Sequence, residues 1–252
     1  MRIEALPLLS DNYAWILRAP AGKLCAVVDP SEAEGVLAYL KQHQLHLDAI
    51  LATHHHWDHT GGIAGLLEVF PEAKVYASAI DAKHFSGVSD FVDEGGRFEL
   101  FSQEVQCLHV PGHTLGAIAF YLPDAKAVFT GDTLFTAGCG RLFEGTPEQL
   151  CHSLLKIRKL PKDVWVYCGH EYTEKNLRYA LSLEPSNRLV GERLAKVQLQ
   201  RQENQATVPA LLETECTTNP FLRADDKILQ EAQGVKEVVE LFAHLRRGRD
   251  SF

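Results

Sequence analysis

Between Thr53 and Gly62 the chain reads Thr-His-His-His-Trp-Asp-His-Thr-Gly-Gly, with four histidines and an aspartate in the six positions from His54 to His59. Such a density of imidazole and carboxylate donors is wasteful or repulsive unless a cation holds the lone pairs together, and these groups suit zinc and its divalent neighbours. Histidine-rich tags and adventitious metal binders lie at chain ends or in low-complexity segments. This run instead follows an apolar stretch, residues 49–52, and runs into a Gly-Gly turn. It reads as a strand leading into a metal-binding loop, and the fold must bring further ligands to that loop.

Three other segments share this layout. Residues 105–110 lead into Pro-Gly-His113-Thr, residues 127–130 into Gly-Asp132-Thr, and residues 164–167 into Cys-Gly-His170-Glu. In open α/β sheets functional groups gather beyond the carboxyl ends of strands, so the four loops are expected to converge on one cleft. Their side chains provide for two cations: His54, His56 and His113 for one, Asp58, His59 and His170 for the other, with Asp132 bridging through its two carboxylate oxygens. Hydroxide between two divalent cations is a strong nucleophile at neutral pH, and the same cations stabilise an oxyanion on an attacked carbonyl. Hydrolysis is the chemistry implied, with Asp58 and Asp132 as the carboxylates at the reacting centre. His55 and Trp57 alternate with the ligands and are expected to point away. Asp29, in Val-Asp-Pro, is either an acceptor that orients a ligand histidine or a turn residue before Pro30. Zinc is the default expectation, although iron and manganese accept the same donors.

Short apolar or β-branched runs alternate with amphipathic stretches, which predicts a layered α/β architecture. Strands are expected over 14–17, 26–28, 49–52, 75–77, 105–110, 118–122, 127–130 and 164–167. Helices are expected over 31–43, 63–70 and 147–159, the last opened by a Thr146 cap and a proline in the first turn. After Glu171 the strand-like runs stop and charged helical stretches follow over 191–205 and 224–245. Thr207-Val208-Pro209 and Asn219-Pro220-Phe221 read as loops, because proline biases its predecessor toward extended backbone. The expected division is a catalytic region over 1–170 and a helical region over 171–252.

The 252 residues, 46% hydrophobic and 23% charged, suffice for one large domain or a large domain with an appendage. A net charge of −8 argues against general nucleic-acid binding, which needs a basic face. No apolar run approaches membrane-spanning length, and Met-Arg-Ile-Glu-Ala-Leu-Pro carries no secretory signal. The six cysteines are scattered without Cys-x-x-Cys pairing, which fits a reducing cytoplasm. A monomer is expected.

The string Thr-His-His-His-Trp-Asp-His, with Pro-Gly-His113-Thr, Thr-Gly-Asp132-Thr-Leu-Phe and Cys-Gly-His170-Glu-Tyr, resembles the metallo-β-lactamase superfamily. That resemblance implies an αββα sandwich with a binuclear metal site at one edge. Ala137-Gly-Cys-Gly-Arg141-Leu-Phe143-Glu-Gly-Thr, Thr207-Val-Pro, Asn219-Pro-Phe-Leu-Arg223 and Arg246-Arg-Gly-Arg249-Asp-Ser-Phe are similar to its glyoxalase II (hydroxyacylglutathione hydrolase) branch over essentially the whole length. The similarity implies cleavage of S-D-lactoylglutathione to D-lactate and glutathione, the second step of methylglyoxal detoxification. By match to the family's glutathione contacts, Arg141, Tyr172, Arg246 and Arg249 would bind the substrate, arginine being suited to carboxylates. Phe143 stands where some members carry tyrosine, which leaves it a packing role at most. Ala117 stands where many relatives carry a polar residue, at a position outside the ligand pattern. The competing readings are a glutathione-persulfide dioxygenase-like enzyme with one iron, a nuclease on the same scaffold, and a metal-binding module without turnover.

Overall fold

The computed structural model describes residues 1–252. One six-stranded sheet runs in chain order through β1 (Arg2–Leu8), β2 (Asn12–Arg18), β3 (Leu24–Val28), β4 (His46–Leu51), β5 (Lys74–Ser78) and β6 (Asp90–Val92). Its first two pairings are antiparallel and its last three parallel. The second sheet begins with the meander β7 (Arg97–Leu100), β8 (Gln103–His109), β9 (Ile118–Leu122) and β10 (Ala127–Gly131). After a small hairpin of β11 (Leu134–Phe135) and β12 (Gly138–Cys139), the second sheet continues with β13 (Trp165–Cys168) parallel to β10, and β14 (Ala210–Leu211) closes its edge.

The layering follows from side-chain alternation. Along β2, Tyr13, Trp15 and Leu17 point between the sheets, where they meet Phe120 and Phe129, while Ala14 and Ile16 face the other way. That outer face is covered by α1 (Ala33–His43) and by α3 (Ile63–Val69), which follows the single turn α2 (Trp57–Thr60). On the far side, Val128 and Val166 pack under α4 (Pro147–Arg158). Each fully buried Leu, Ile or Phe in these layers contributes about 1.5–3 kcal/mol. The result is a four-layer αββα sandwich. Strands buried on both faces read as continuous apolar runs, which explains why β2, β9 and β10 are predictable from sequence within a residue or two of their observed ends, whereas β4 begins three residues earlier, in a half-exposed stretch with His46 and Asp48. The Thr146 cap is present as a full capping box with Gln149.

Several elements depart from expectation. β1, β6 and β7 were not predicted because they are half exposed and lack a sustained apolar run. Beyond residue 171 the chain forms α5 (Thr173–Leu183), α6 (Arg188–Gln202) and α7 (Leu212–Thr218), of which only α6 overlaps an expected helix. The stretch 224–245, read as one helix, is two: α8 (Lys227–Gln233) ends at Gly234, whose left-handed backbone caps it, and α9 (Val238–Ser251) follows. Strand structure also does not stop at 171, since β14 follows Pro209 and pairs with β13. The C-terminal helices are therefore joined to the second sheet and its core, where Leu241, Phe242 and Leu245 of α9 pack with Leu150 and Leu154 of α4.

Candidate metal centre and cleft

The loops after β4, β8, β10 and β13 meet at one edge of the sandwich, as expected. Cross-sheet hydrogen bonds hold that edge closed: Tyr13 N–H donates to Gly169 O at 2.8 Å and Trp15 Nε1–H to Cys168 O at 3.0 Å. Gly131 at the end of β10 has a left-handed φ of 48°, and a Cβ there would stand 2.2 Å from Thr53 Oγ1 and 3.3 Å from His54 Nδ1. Only glycine lets β10 approach the histidine loop this closely.

Two groups of donors face one another. His56 Nδ1 lies 3.1 Å from His54 Nε2 and 3.0 Å from His113 Nε2. His59 Nε2 lies 3.3 Å from His170 Nε2, and Asp58 Oδ2 is 3.7 Å and 3.5 Å from the same two nitrogens. Asp132 lies between the groups, its Oδ2 3.5 Å from His113 Nε2 and 3.4 Å from His170 Nε2, its Oδ1 3.3 Å from His59 Nε2.

The outer side of each ring shows what the inner side offers. His113 Nδ1 meets Arg141 O at 2.9 Å, His59 Nδ1 meets Asp29 Oδ2 at 3.0 Å, and His170 Nδ1 meets Asp11 Oδ1 at 2.8 Å. These partners only accept, so each Nδ1 carries the proton and, in the neutral ring, each Nε2 turns a lone pair inward. Thr53 Oγ1 donates to Asp29 Oδ2 at 2.6 Å and so is free to accept from His54 Nδ1 at 3.1 Å, with the same outcome. Asp58 is held by Asn12 Nδ2–H, 3.1 Å from its Oδ2. Asp29 thus orients His59 and the backbone of Thr53 as well, which selects the first of its two sequence readings.

Titration behaviour agrees with this at three of the rings, while at His59 and His170 the neighbouring carboxylates outweigh burial. Burial pushes His54 well below the ordinary histidine range and lowers His56 and His113, so all three favour the neutral, ligating form. Burial opposes charge at His59 and His170 too, but Asp132 with Asp29 holds His59 well above that range and Asp132 with Asp11 raises His170. Burial likewise works against the Asp132 carboxylate, yet His59 and His170 hold it well below the usual range. Asp132 Oδ1 is buried without a hydrogen-bond partner even though His59 Nε2 is near. Inward lone pairs, a carboxylate oxygen left unsatisfied and two three-donor groups flanking one carboxylate fit a pair of divalent cations.

The donors open into a cleft of about 540 Å³. Its far wall carries Arg141, Tyr172, Arg246 and Arg249 with Lys175 and Asn176, and its rim carries Trp57 and Phe143. Phe143 is 63% exposed and stands edge-on to His56 and His113, each 5.3 Å away. Tyr172 stacks on His170 at 4.8 Å, and burial, then Asp11 and Asp132, drives its phenol far up, so it remains a neutral donor. Arg246 is only 4% exposed, with Nη1 on Cys139 O at 2.7 Å and Nη2 on Asp250 at 2.9 Å, leaving Nε without a partner. Arg249 reaches only Asn176 Oδ1, at 3.1 Å from both Nε and Nη2, and its charge is disfavoured by burial and then by Arg246 and Arg141. His55 points away from the cluster, as expected, but into a second polar group with Asp81 and Glu144. Trp57 is 71% exposed.

Asp11, Asn12, Asp81, Lys175 and Asn176 were missed by the sequence reading. Asp11 ends the turn between β1 and β2 and Asn12 opens β2, 159 and 46 residues from the partners they hold, and nothing local in the sequence marks that pairing.

An αββα sandwich with a histidine and aspartate cluster at the shared edge of its sheets defines a protein of the metallo-β-lactamase class. The sequence pattern of the Metallo-beta-lactamase superfamily matches residues 9–170, and that of the hydroxyacylglutathione hydrolase C-terminus matches residues 171–252. Over its full length the chain is 48% identical to a hydroxyacylglutathione hydrolase from Synechococcus and 44% identical to one from Gloeothece citriformis, each covered completely. The chain belongs to the hydroxyacylglutathione hydrolase family. Among solved structures, the BLEG-1 B3 metallo-β-lactamase has a TM-score of 0.67 at 22% identity, covering 88% of this chain and 99% of its own. ETHE1 from Myxococcus xanthus has a TM-score of 0.67 at 23% identity, covering 98% and 100%, and these two likenesses concern the fold alone. TTHA1623, described in a di-iron-bound form, has a TM-score of 0.63 at 28% identity, covering 88% and 100%.

Proposed function

We propose that this chain hydrolyses S-(2-hydroxyacyl)glutathione thioesters, chiefly S-D-lactoylglutathione, to glutathione and the 2-hydroxy acid. The observation that carries this reading is one cleft lined both by His56, Asp58, His113, Asp132 and His170 of the donor cluster and by a half-buried arginine, Arg249, whose only side-chain partner is a neutral amide. An arginine crowded by Arg246 and Arg141, which outweigh the nearby Asp250, makes no ion pair of its own, and glutathione supplies two carboxylates. Full-length relatives named hydroxyacylglutathione hydrolase support the same substrate.

His54, His56 and His113 would hold one cation and Asp58, His59 and His170 the other, with Asp132 shared. When bound, two such cations supply a water acidified toward neutral pH and positive charge beside the attacked carbonyl. Arg249 and Arg141 draw the glutathione carboxylates to the far wall, which sets the thioester over the cluster. Tyr172, fixed on His170, donates a hydrogen bond into the cleft. Asp58, its Oδ2 steadied by Asn12 within the donor group, lines the cleft, and its carboxylate is the acceptor for the proton of the attacking water. The leaving thiolate is stable enough to depart without a protein acid. Phe143 has no hydroxyl and shapes the mouth.

Zinc is the proposed occupant, on the strength of the imidazole and carboxylate donors. All six cysteines are free and five are buried, which supports a reducing compartment such as the cytoplasm. No helix is long and apolar enough to cross a membrane. The cleft is complete within one chain, which supports action as a monomer. Thiol release from S-D-lactoylglutathione tests the reading. Release is expected as isolated, lost on chelation and restored by metal, with elemental analysis identifying the ion. Inactivity in every metal form would overturn it.

A further inference from the structure

We infer that Asp81 is a positioning residue that sets the spacing of the two loops carrying His54, His56 and His113, with His55 and Glu144 extending the tie to the loop that carries Arg141. The inference rests on reading the donor cluster as a binuclear site.

Asp81 opens a short turn after β5 and is 1% exposed. One of its oxygens, Oδ2, accepts from the backbone N–H of His55 at 3.0 Å and from Thr114 Oγ1 at 3.0 Å. His55 sits between two ligands of the β4 loop, and Thr114 directly follows His113. A single buried oxygen therefore joins the two loops that together make up the His54, His56 and His113 group. The seat is specific: a Cβ on Gly116 would fall 2.2 Å from Asp81 Oδ1, so glycine at 116 is required for the carboxylate to enter. Ser78 Oγ accepts from the backbone N–H of Asp81 at 3.1 Å and fixes the turn from β5.

The tie continues outward. The His55 ring lies with Nδ1 3.2 Å from Asp81 Oδ2 and Nε2 3.3 Å from Glu144 Oε1, and it stacks on His84 at 4.1 Å. Glu144 Oε2 also accepts from Leu115 N–H at 2.7 Å. The other donor group is built differently: Asp58, His59 and His170 are braced by Asn12, Asp29 and Asp11, none of which touches Asp81. Asp29 also reaches His54 through Thr53, and Asp132 faces both groups, whereas Asp81 touches only the loops of the first group, so loss of Asp81 acts on one metal position.

The test is cobalt(II) titration of the metal-free protein, read by visible absorption and calorimetry. Wild type is expected to bind two equivalents. Asp81→Ala is expected to bind one equivalent as tightly as wild type, while the affinity of the other falls about 10–100-fold. Asp81→Asn, whose amide oxygen can stand where Oδ2 stands, restores both, and Thr114→Val weakens the same single equivalent without leaving a cavity. If Asp81→Ala does not fold, Thr114→Val alone decides. Two unchanged affinities in the variants, equal weakening of both, or an Asn variant as poor as the Ala variant would each overturn the inference. Fewer than two equivalents in wild type would instead sink the binuclear reading beneath it.

Discussion

Glu215 on α7 is fully buried, and its carboxylate is the meeting point of three separate elements. It pairs with Arg193 of α6 at 2.5 Å, accepts from the backbone N–H of Ala137 at 2.7 Å and accepts from Asn219 Nδ2 at 3.1 Å. Ala137 is the left-handed residue, φ 56°, at the tip of the β11–β12 hairpin that leads into Arg141. Replacing Glu215 by alanine strands a largely buried guanidinium and a buried backbone donor. Removing one partner of a buried ion pair costs about 3–5 kcal/mol, and the one lost methylene adds roughly 0.8 kcal/mol. Glu215→Ala should therefore lose at least about 4 kcal/mol. For a chain of this length that lowers Tm by roughly 8–16 °C. Glu215→Gln keeps acceptors for Ala137 and Asn219 and should fall between, at about 1.5–3 kcal/mol. Calorimetry on metal-free and metal-loaded protein separates the loss from cation binding. Because the hairpin feeds the cleft, KM for the thioester should rise in the alanine variant well below its Tm. A drop in Tm smaller than about 4 °C would mean that Arg193 and Ala137 find other partners, and the assigned anchor role would be wrong. A full drop with unchanged KM would leave the anchor but break its link to the cleft.

Asp132→Ala removes the one carboxylate between the two donor groups, and turnover should fall by on the order of a thousandfold with metal content below two per chain, measured by elemental analysis and steady-state kinetics. In Arg249→Ala the loss of charge-assisted hydrogen bonds, about 1.5–3 kcal/mol, should raise KM for S-D-lactoylglutathione roughly 10–150-fold. A thioester without carboxylates should show no such change, and equal effects on both substrates would count against a carboxylate contact. Burial pushes the thiols of Cys25, Cys107 and Cys168 up to about 12 and those of Cys139 and Cys151 up to about 11, so at pH 8 they carry almost no thiolate. A chromogenic disulfide should modify only half-buried Cys216 in native protein and all six cysteines after unfolding; rapid reaction of a second thiol in native protein would contradict the packing.

What the amino-acid sequence determines by itself is whatever depends on neighbours along the chain. His54, His56, Asp58 and His59 share one loop, so their chemistry is visible as a string. β2, β9 and β10 are apolar on both faces, and Thr146 and Gln149 cap a helix three residues apart. Tertiary structure alone decides the rest. Whether Asp29 was a turn residue or the acceptor for His59 depended on the packing of β3 beside β4, which brings positions 30 residues apart to 3.0 Å. Asp11, Asp81 and Glu215 look in sequence like ordinary acidic residues of a turn or a helix. They acquire their roles because burial removes water as a competing partner, so that a carboxylate is held by the donors that packing of distant elements delivers to it. Arg246 shows the same for a cation: nothing local in its terminal basic run marks a site, only the family resemblance implied a binding role, and the docking of α9 against β12 places it in the cleft wall. Local spacing specifies which donors exist, whereas distances between remote donors follow from how two sheets and their covering helices pack, a property of the whole chain.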